Sequence, residues 1–511
     1  MYIRSLSIQG LRSLKDASLE FPEGCEAGWH VIVGPNGSGK STVVRALALG
    51  LIGERNIDAS REDLSRWLRA DSERHRLNLR VVETQIDDQD QTRPFTVGPE
   101  HEWSVEFASK SHSLTQVDIR SGAPGTKFPW EQTKGWFSVA FGAFRRLSGG
   151  DPSYVELFEK RPRLGAHLSA LNEGVALTAA SSWLQKMHIE ELEAEKQLIR
   201  SCERFLSGTQ GALGDAIAIM GSDEVGRPEV AKRIVEALAN FEEQANADMT
   251  WGVVRVVDIK TTALTETVDR GVFDVDVVVD TLSKRIIRFL NSSRLLHPAR
   301  IDRITHDAIL AVDGFGNELS LSQLSDGYRA AISIALEILR LQLILFGPRQ
   351  FEKFLDDNGT VQLPGVVIID EVEAHLHPDW QEQIGDWLRA SFPRIQFIVT
   401  SHSPIVCRSL ITDGQLSGSV WQLIPDDEGG CRLEAVTGQR LKRLVYGDLV
   451  EAVGTEVFGR SVEQSDEAAA MLDELATLNR LSLRGELDPN QRRQFDELRA
   501  IFPAQAAGVQ L

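Results

Sequence analysis

Trp29 to Thr42 reads WHVIVGPNGSGKST, and this stretch decides the fold. Val31 to Val33 is a short apolar run, read as a buried strand. Gly34 to Ser41 matches GxxxxGK[ST], and STVVRALALGL continues as a helix. Strand, glycine loop and helix in that order predict a phosphate-binding loop. Glycines let backbone N–H groups converge on phosphate oxygens, and the helix N-terminus adds roughly half a positive charge there. Nucleotide contacts are expected from Gly34, Asn36, Gly37, Ser38, Gly39, Lys40, Ser41 and Thr42. Lys40 would reach the β- and γ-phosphates and Ser41 would offer a hydroxyl to Mg²⁺, so ATP and Mg²⁺ are the cofactors implied.

A second stretch, GVVIIDEVEAHLHP (365–378), supplies the acids such a loop needs. Val366 to Ile369 is a continuous apolar run, expected of a central parallel strand buried on both faces. Asp370 ends it, where ligands bind in open α/β sheets, and would hold Mg²⁺ through water. Glu371 would polarise the attacking water as a general base. A third strand, IQFIVTSHSP (395–404), ends in Thr400, Ser401 and His402, and His402 could sense a γ-phosphate. The catalytic candidates are therefore Glu371, His402 and Lys40, and the metal candidates Ser41 and Asp370.

Two stretches compete to be the signature that ABC-type ATPases press against ATP: RRLSGGD (145–151) and LSDGYRA (324–330). Context ranks them. After Ser325, Ile332, Leu336, Leu339 and Leu343 repeat at helical spacing, and Ser325 suits a helix N-cap. That helix runs on towards Asp370. Ser148 lies far upstream and is followed by Gly-Gly-Asp-Pro, a turn. The signature is thus assigned to Ser325 and Gly327, with Asp326 where a second glycine is usual, and LSGG is assigned as a decoy.

The phosphate loop, LSDGYR, IIDEVEAHLHP and TSHSP in this order resemble the ABC-type ATPase heads of the RecF, Rad50, SMC and overcoming-lysogenization-defect group. FSVAFGAFRRLSGGD, LSDGYRAAISIALEILR, DEVEAHLHPDWQEQIGDWL and GDLVEAVGTEVFGRS together resemble the ATPases of the Septu anti-phage system, also found in retron loci. The resemblance implies an ATP-hydrolysing head whose signature works in trans. Two copies, or a higher homo-oligomer, would sandwich ATP, with Lys40, Asp370, Glu371 and His402 of one facing Ser325 and Gly327 of the other. It also implies a separate HNH nuclease as partner, with a retron reverse transcriptase and its DNA as further candidates. It reads His375 and His377 as part of the loop after the acidic strand, not as metal ligands, and Asp379 as a helix-start acid. By analogy with Rad50-like heads, Arg12 and Ser13 are placed near the adenine. No role follows for Arg145 and Arg146.

The fold class expected is α/β: an ABC-type P-loop NTPase head, a mixed sheet with flanking helices, carrying a helical insertion and a helical C-terminal tail. Residues 1–150 would form the first lobe of the head and 296–445 the second. Residues 151–295 read as a mostly helical insertion, with helices in 181–206, 229–247 and 275–293, and no heptads persist that would make it a long coiled coil. Residues 220–230 read as a loop. Residues 307–325 read as strand, turn and strand. The tail, 446–511, is charged and helical. Small basic clusters at 160–163, 440–444 and 492–493 read as solvated surface.

The chain of 511 residues has 25% charged residues and a net charge of −19, so no global basic field advertises nucleic acid. Cys25, Cys202, Cys407 and Cys431 form no CxxC pair, which fits a reducing compartment and argues against a zinc hook. No apolar run reaches the roughly 18 residues of a membrane span, and the N-terminus lacks the build of a signal peptide, so a cytoplasmic protein without a membrane partner is expected. No HNH pattern or Toprim-type acidic constellation is visible. The leading expectation is a regulator of a nuclease in phage defence. The alternative is a RecF- or Rad50-like repair ATPase acting on duplex DNA, and a transporter subunit ranks last.

Overall fold

The computed structural model describes residues 1–60, 62–86, 95–111, 114–122, 128, 136–143, 145, 160–172, 174–175, 180–197, 200, 254–261, 275–292, 296–356, 360–412, 414–426, 429–447, 466–485 and 487–501. The alternating N-terminus forms β1 (Tyr2–Leu11) and β2 (Leu14–Glu20), an antiparallel hairpin. The apolar run before the glycine loop is β3 (Trp29–Val33), and the helix after it is α1 (Lys40–Ile52). Then follow β4 (Arg76–Ile86), β5 (Phe95–Ser111), β6 (Leu114–Ser121), β7 (Ser138–Phe141) and α2 (Pro162–Leu171). Residues 151–295, expected as the insertion, also hold β8 (Val254–Thr261), β9 (Val275–Thr281) and α3 (Leu282–Asn291), and β10 (Arg300–Ile304), β11 (Ile309–Val312) and β12 (Glu318–Ser320) come after it. Next come α4 (Asp326–Phe346), β13 (Gly365–Ile369), α5 (Pro378–Ser391) and β14 (Ile395–Ser401). A two-residue pair, β15 (Ile411–Thr412) and β16 (Gln415–Leu416), precedes β17 (Gly418–Pro425), β18 (Cys431–Val436) and α6 (Gly438–Tyr446). The tail is α7 (Asp466–Arg484) and α8 (Pro489–Ile501), joined by their own small core of Leu475, Leu478, Phe495 and Leu498.

An 11-stranded mixed sheet organises the head, in the order β6-β5-β4-β1-β2-β18-β17-β3-β14-β13-β7. Its parallel part runs β17, β3, β14, β13, β7, with Ile369 beside both Val399 and Phe141 and Ser401 beside Val33. Consecutive side chains on a strand point to opposite faces. Val31, Val33, Val367, Ile369, Phe397 and Val399 accordingly join one core with α4, while Ile32, Val366, Ile368 and Ile398 join another with α1. Both faces are covered, which is why these strands read as unbroken apolar runs. The C-terminal ends of β3, β7, β13 and β14 share one edge, so the loops after residues 33, 141, 369 and 401 meet there.

The strand, turn and strand expected before the signature are β11 and β12, which pair antiparallel. The helix expected over 275–293 is corrected: its first seven residues are β9, paired antiparallel with β8, and only Leu282–Asn291 is helical. The segment VDVVVDT is rich in β-branched valine and alternates, so it suits a pleated strand. Thr281 then starts α3, its Oγ1 accepting from the Lys284 N–H at 3.3 Å. The Glu191 carboxylate, on a helix over 180–197, accepts the Ser283 N–H as well. The helix expected over 229–247, the loop at 220–230 and the LSGG decoy at 147–150 lie outside the described residues.

No helix among the described residues is long and apolar enough to cross a membrane. The longest, α4, spans 21 residues but is buried in the head and holds the paired Glu337 and Arg340.

Candidate ATP site

The glycine loop leaves β3 and enters α1 at Lys40. Gly39 is left-handed at φ 106° and caps α1 without a side-chain hydrogen bond. The first N–H groups of a helix have no intrahelical partner, so this end offers free donors and the positive pole of the helix. A Cβ at Gly39 would lie 2.4 Å from Ser13 Oγ, so glycine is needed for space as well as for φ. The buried Ser38 Oγ has no hydrogen-bond partner. An uncapped helix start and an orphaned hydroxyl fit a bound phosphate chain.

Lys40 Nζ donates to the carbonyls of Gly34 (2.8 Å) and Pro35 (3.1 Å) and lies 3.3 Å from His402 Nδ1. Burial lowers the Lys40 pKa, and Asp370, Glu371 and Glu373 partly restore it. The His402 pKa is lowered first by burial and then by Lys40. A neutral imidazole facing an ammonium accepts at Nδ1, which leaves the ring proton on Nε2. That nitrogen faces Glu371 Oε1 at 4.0 Å, and the His402 N–H donates to Glu373 Oε1 at 2.5 Å.

The acidic strand end is tied to the histidine strand through Thr400. Thr400 Oγ1 donates to Asp370 Oδ1 at 2.5 Å and accepts the Glu371 N–H at 2.8 Å. Glu371 adopts φ 48°, a left-handed conformation uncommon for a residue with a Cβ, and His375 adopts φ 68°. Buried Arg145 reaches this turn from beyond β7. Its Nη1 donates to the Asp370 carbonyl (2.8 Å) and its Nη2 to those of Glu371 (2.9 Å), Ala374 (3.3 Å) and Val372 (3.4 Å).

These groups border an open cleft of about 580 Å³. Asn36, Gly37, Gly39, Lys40, Ser41 and Thr42 line one side, and Glu371 and His402 the other. Arg12 and Ser13, the adenine-side candidates, line it too. Arg12 stacks over Trp67 at 4.6 Å, and its Nη2 lies 3.6 Å from Glu62 Oε1. Gly34, Ser38 and Asp370 do not line the cleft; Asp370 and Ser38 are buried. Ser325 and Gly327 are absent from its walls as well.

Those two residues sit at the start of α4. Ser325 is the N-cap residue by backbone position, but its side chain makes no capping hydrogen bond. Asp326 pairs with Arg329, so its carboxylate is neutralised within its own helix. A Cβ at Gly327 would stand 3.4 Å from the His375 carbonyl, and Tyr328 meets Trp380 edge-on at 4.4 Å. The segment expected to be the signature thus packs on the loop that follows Glu371 and on Trp380 of α5. His377 caps α5, whose first turn holds Asp379, and no metal-binding cluster of His, Cys, Asp or Glu occurs among the described residues.

The sequence gives no role to Thr400 or Arg145 and does not single out Glu373. Thr400 was in view as the end of a strand, and pairing that strand with 365–369 would have set it beside Asp370. Arg145 follows SVAF, a short apolar run that a reading of parallel strands could have aligned with Val366–Ile369.

Comparison with known proteins agrees with this geometry. Residues 254–408 match the family model "AAA domain, putative AbiEii toxin, Type IV TA system", and residues 5–123 match another described as "AAA domain". The "Septu protein PtuA" of Bacillus mycoides (strain KBAB4) is 40% identical over 105 residues, 20% of this chain and 13% of that protein. The "Retron Ec83 probable ATPase" of Escherichia coli is 37% identical over 131 residues, 26% and 21% of the two chains. The "Retron Vc95 probable ATPase" of Vibrio cholerae serotype O1 biovar El Tor is 36% identical over 114 residues, 22% and 20%. The matched stretches span only 13% to 21% of these relatives' own length. An SMC head domain from Pyrococcus furiosus superposes over 87% of this chain and 98% of its own at TM-score 0.39 and 14% identity, too loosely to add to the fold. The two matched stretches carry the phosphate loop (5–123) and the strand ends with Asp370 and His402 (254–408), so the chain is similar in both to AAA-type nucleotide-binding domains.

Proposed function

We propose that the chain binds ATP with Mg²⁺, dimerises around two ATP molecules and, by hydrolysing them, controls a separate HNH-type nuclease in anti-phage defence. The observation that carries this reading is the division of its nucleotide-facing residues. Lys40, Glu371 and His402 border one cleft, while Ser325 and Gly327 lie outside it. Such a cleft is completed by a second copy, which brings its own α4 N-terminus to the exposed side of the ATP. The defence role is drawn from relatives named for Septu and retron systems.

Within one site, Lys40 and the α1 N-terminus bind the β- and γ-phosphates. Bound Mg²⁺ would neutralise charge on the phosphate oxygens, and Ser41 and Asp370 are the residues that would hold it. Glu371 takes a proton from the attacking water as the water oxygen bonds to the γ-phosphorus and the bond to ADP breaks. His402, neutral and held by Lys40, donates from Nε2 to the γ-phosphate. Ser325 and the Gly327 N–H of the other copy grip the same phosphate, so the dimer lasts until it is released. Lobes 1–150 and 296–445 work as one head in this scheme, with 151–295 and 446–511 carrying the surfaces that meet other chains.

Tagged Glu371→Gln protein, expressed from its native locus and purified with ATP and Mg²⁺, tests the reading. A dimer carrying a small nuclease in fixed ratio is the expected result. A dimer that instead gains only duplex-DNA affinity with a steep salt dependence would favour the RecF-like alternative.

A further inference from the structure

We propose that Arg145 is a positioning residue for Glu371: it clamps the carbonyls of the turn that aims this carboxylate into the cleft. The inference rests on the reading of Glu371 as the general base. Four hydrogen bonds from two guanidinium nitrogens end on one five-residue segment, Asp370 to Ala374. That segment needs a clamp, since Glu371 is held at φ 48° and left-handed residues persist only where their surroundings impose them. Thr400 Oγ1 holds the Glu371 N–H and Arg145 holds its carbonyl, so the peptide units on both sides of the Glu371 Cα are fixed. With both fixed, the direction of the Cα–Cβ bond is fixed as well.

The residue type is informative. Arg145 is 5% exposed, and burying a guanidinium is costly unless it is well bonded. A planar fork can bridge carbonyls of residues one to four apart, whereas an ammonium is a point donor. Arg145 follows the end of β7 by four residues, and β7 lies next to β13 and ends beside Ile369, so the clamp starts from the sheet edge where Asp370 sits. Its far end, the Ala374 carbonyl, precedes His375, whose own carbonyl neighbours Gly327. The clamp therefore also sets the loop on which the signature rests.

The test compares full-length wild type with Arg145→Lys, measuring steady-state ATPase, equilibrium binding of a fluorescent ATP analogue with Mg²⁺, and Tm. The expected result is a kcat reduced about 10- to 100-fold, with analogue affinity held within about two-fold and Tm nearly unchanged. A kcat within about two-fold of wild type overturns the proposal. So does a parallel fall of kcat, affinity and Tm, which would make Arg145 a fold element only. If Arg145→Lys does not fold, Thr400→Val decides by the same split, because it loosens the same turn from the opposite side. Glu371→Gln is run alongside. Wild-type turnover in that variant would instead overturn the general-base assignment, so the two failures are separable.

Discussion

Lys40 Nζ and His402 Nδ1 stand 3.3 Å apart, joining the phosphate loop to the end of β14. Protonating His402 would put two cations at that distance. Burial and Lys40 both lower the His402 pKa below its ordinary 6.5. Turnover should therefore hold through neutrality and fall only as pH drops, with the His402-dependent limb centred below 6.5. The check is kcat against pH for wild type and His402→Ala. A limb at or above the ordinary imidazole value would contradict the geometry.

Two other histidines give a stability prediction. His30 and His167 are buried, and burial takes each down to about 4. The unfolded chain binds protons near pH 6.5 that these folded histidines refuse, so their contribution is complete above that pH and is lost as pH falls towards 4. At pH 5 the loss is roughly 2 kcal/mol for each. Urea midpoints at pH 7 and pH 5 should differ in that direction, and His30→Gln should lessen the difference.

Gly39→Ala should fail on two counts. It forces a Cβ into φ 106° and sets that Cβ 2.4 Å from Ser13 Oγ. A cost of about 1–3 kcal/mol is expected, with loss of ATP binding. Adding Ser13→Ala should recover part of the stability by relieving the contact, leaving the backbone strain in place. Chemical denaturation of the two single variants and the double variant measures the recovery.

Ser325→Arg separates the two surfaces proposed to face nucleotide. Ser325 is not in the cleft wall, so a single chain should bind ATP within about two-fold of wild type. The ATP-dependent dimer and its turnover should be lost. Light scattering with and without ATP, on a Glu371→Gln background, reads out the dimer. Loss of ATP affinity by the isolated chain would contradict the separation.

The parts of the head most legible in the sequence are those where one residue type answers one physical demand. WHVIV and GVVII read as buried strands because both faces are covered, and GPNGSGKST carries its geometry in its glycines. Asp370, Glu371 and His402 were found because strand ends of an open sheet gather ligands on one edge. Arg145 was not, because its partners are backbone carbonyls, which leave no mark in side-chain chemistry. Thr400 acts across strands, and a single sequence does not record which strands are neighbours. VDVVVDT was misassigned because the helical spacing of the following LSKRIIRFL was extended backwards over a strand. Helical spacing after Ser325 ranked LSDG above LSGG, and α4 is the helix expected there.

The order of the central strands bears on how the protein is made. β3 and β7 come from the first third of the chain, yet β14 and β13 stand between them. A ribosome delivers the glycine loop long before its flanking strand partner, some 360 residues ahead of His402 (|i−j| = 362 from Lys40). Until then the apolar runs 29–33 and 137–141 have open edges, the kind of surface that chaperones shield and that aggregation exploits. Pairing at such sequence separation is slow. Nascent chains should therefore stay protease-sensitive at the glycine loop until residues past 401 have left the exit tunnel, and nucleotide cannot reward folding before that moment.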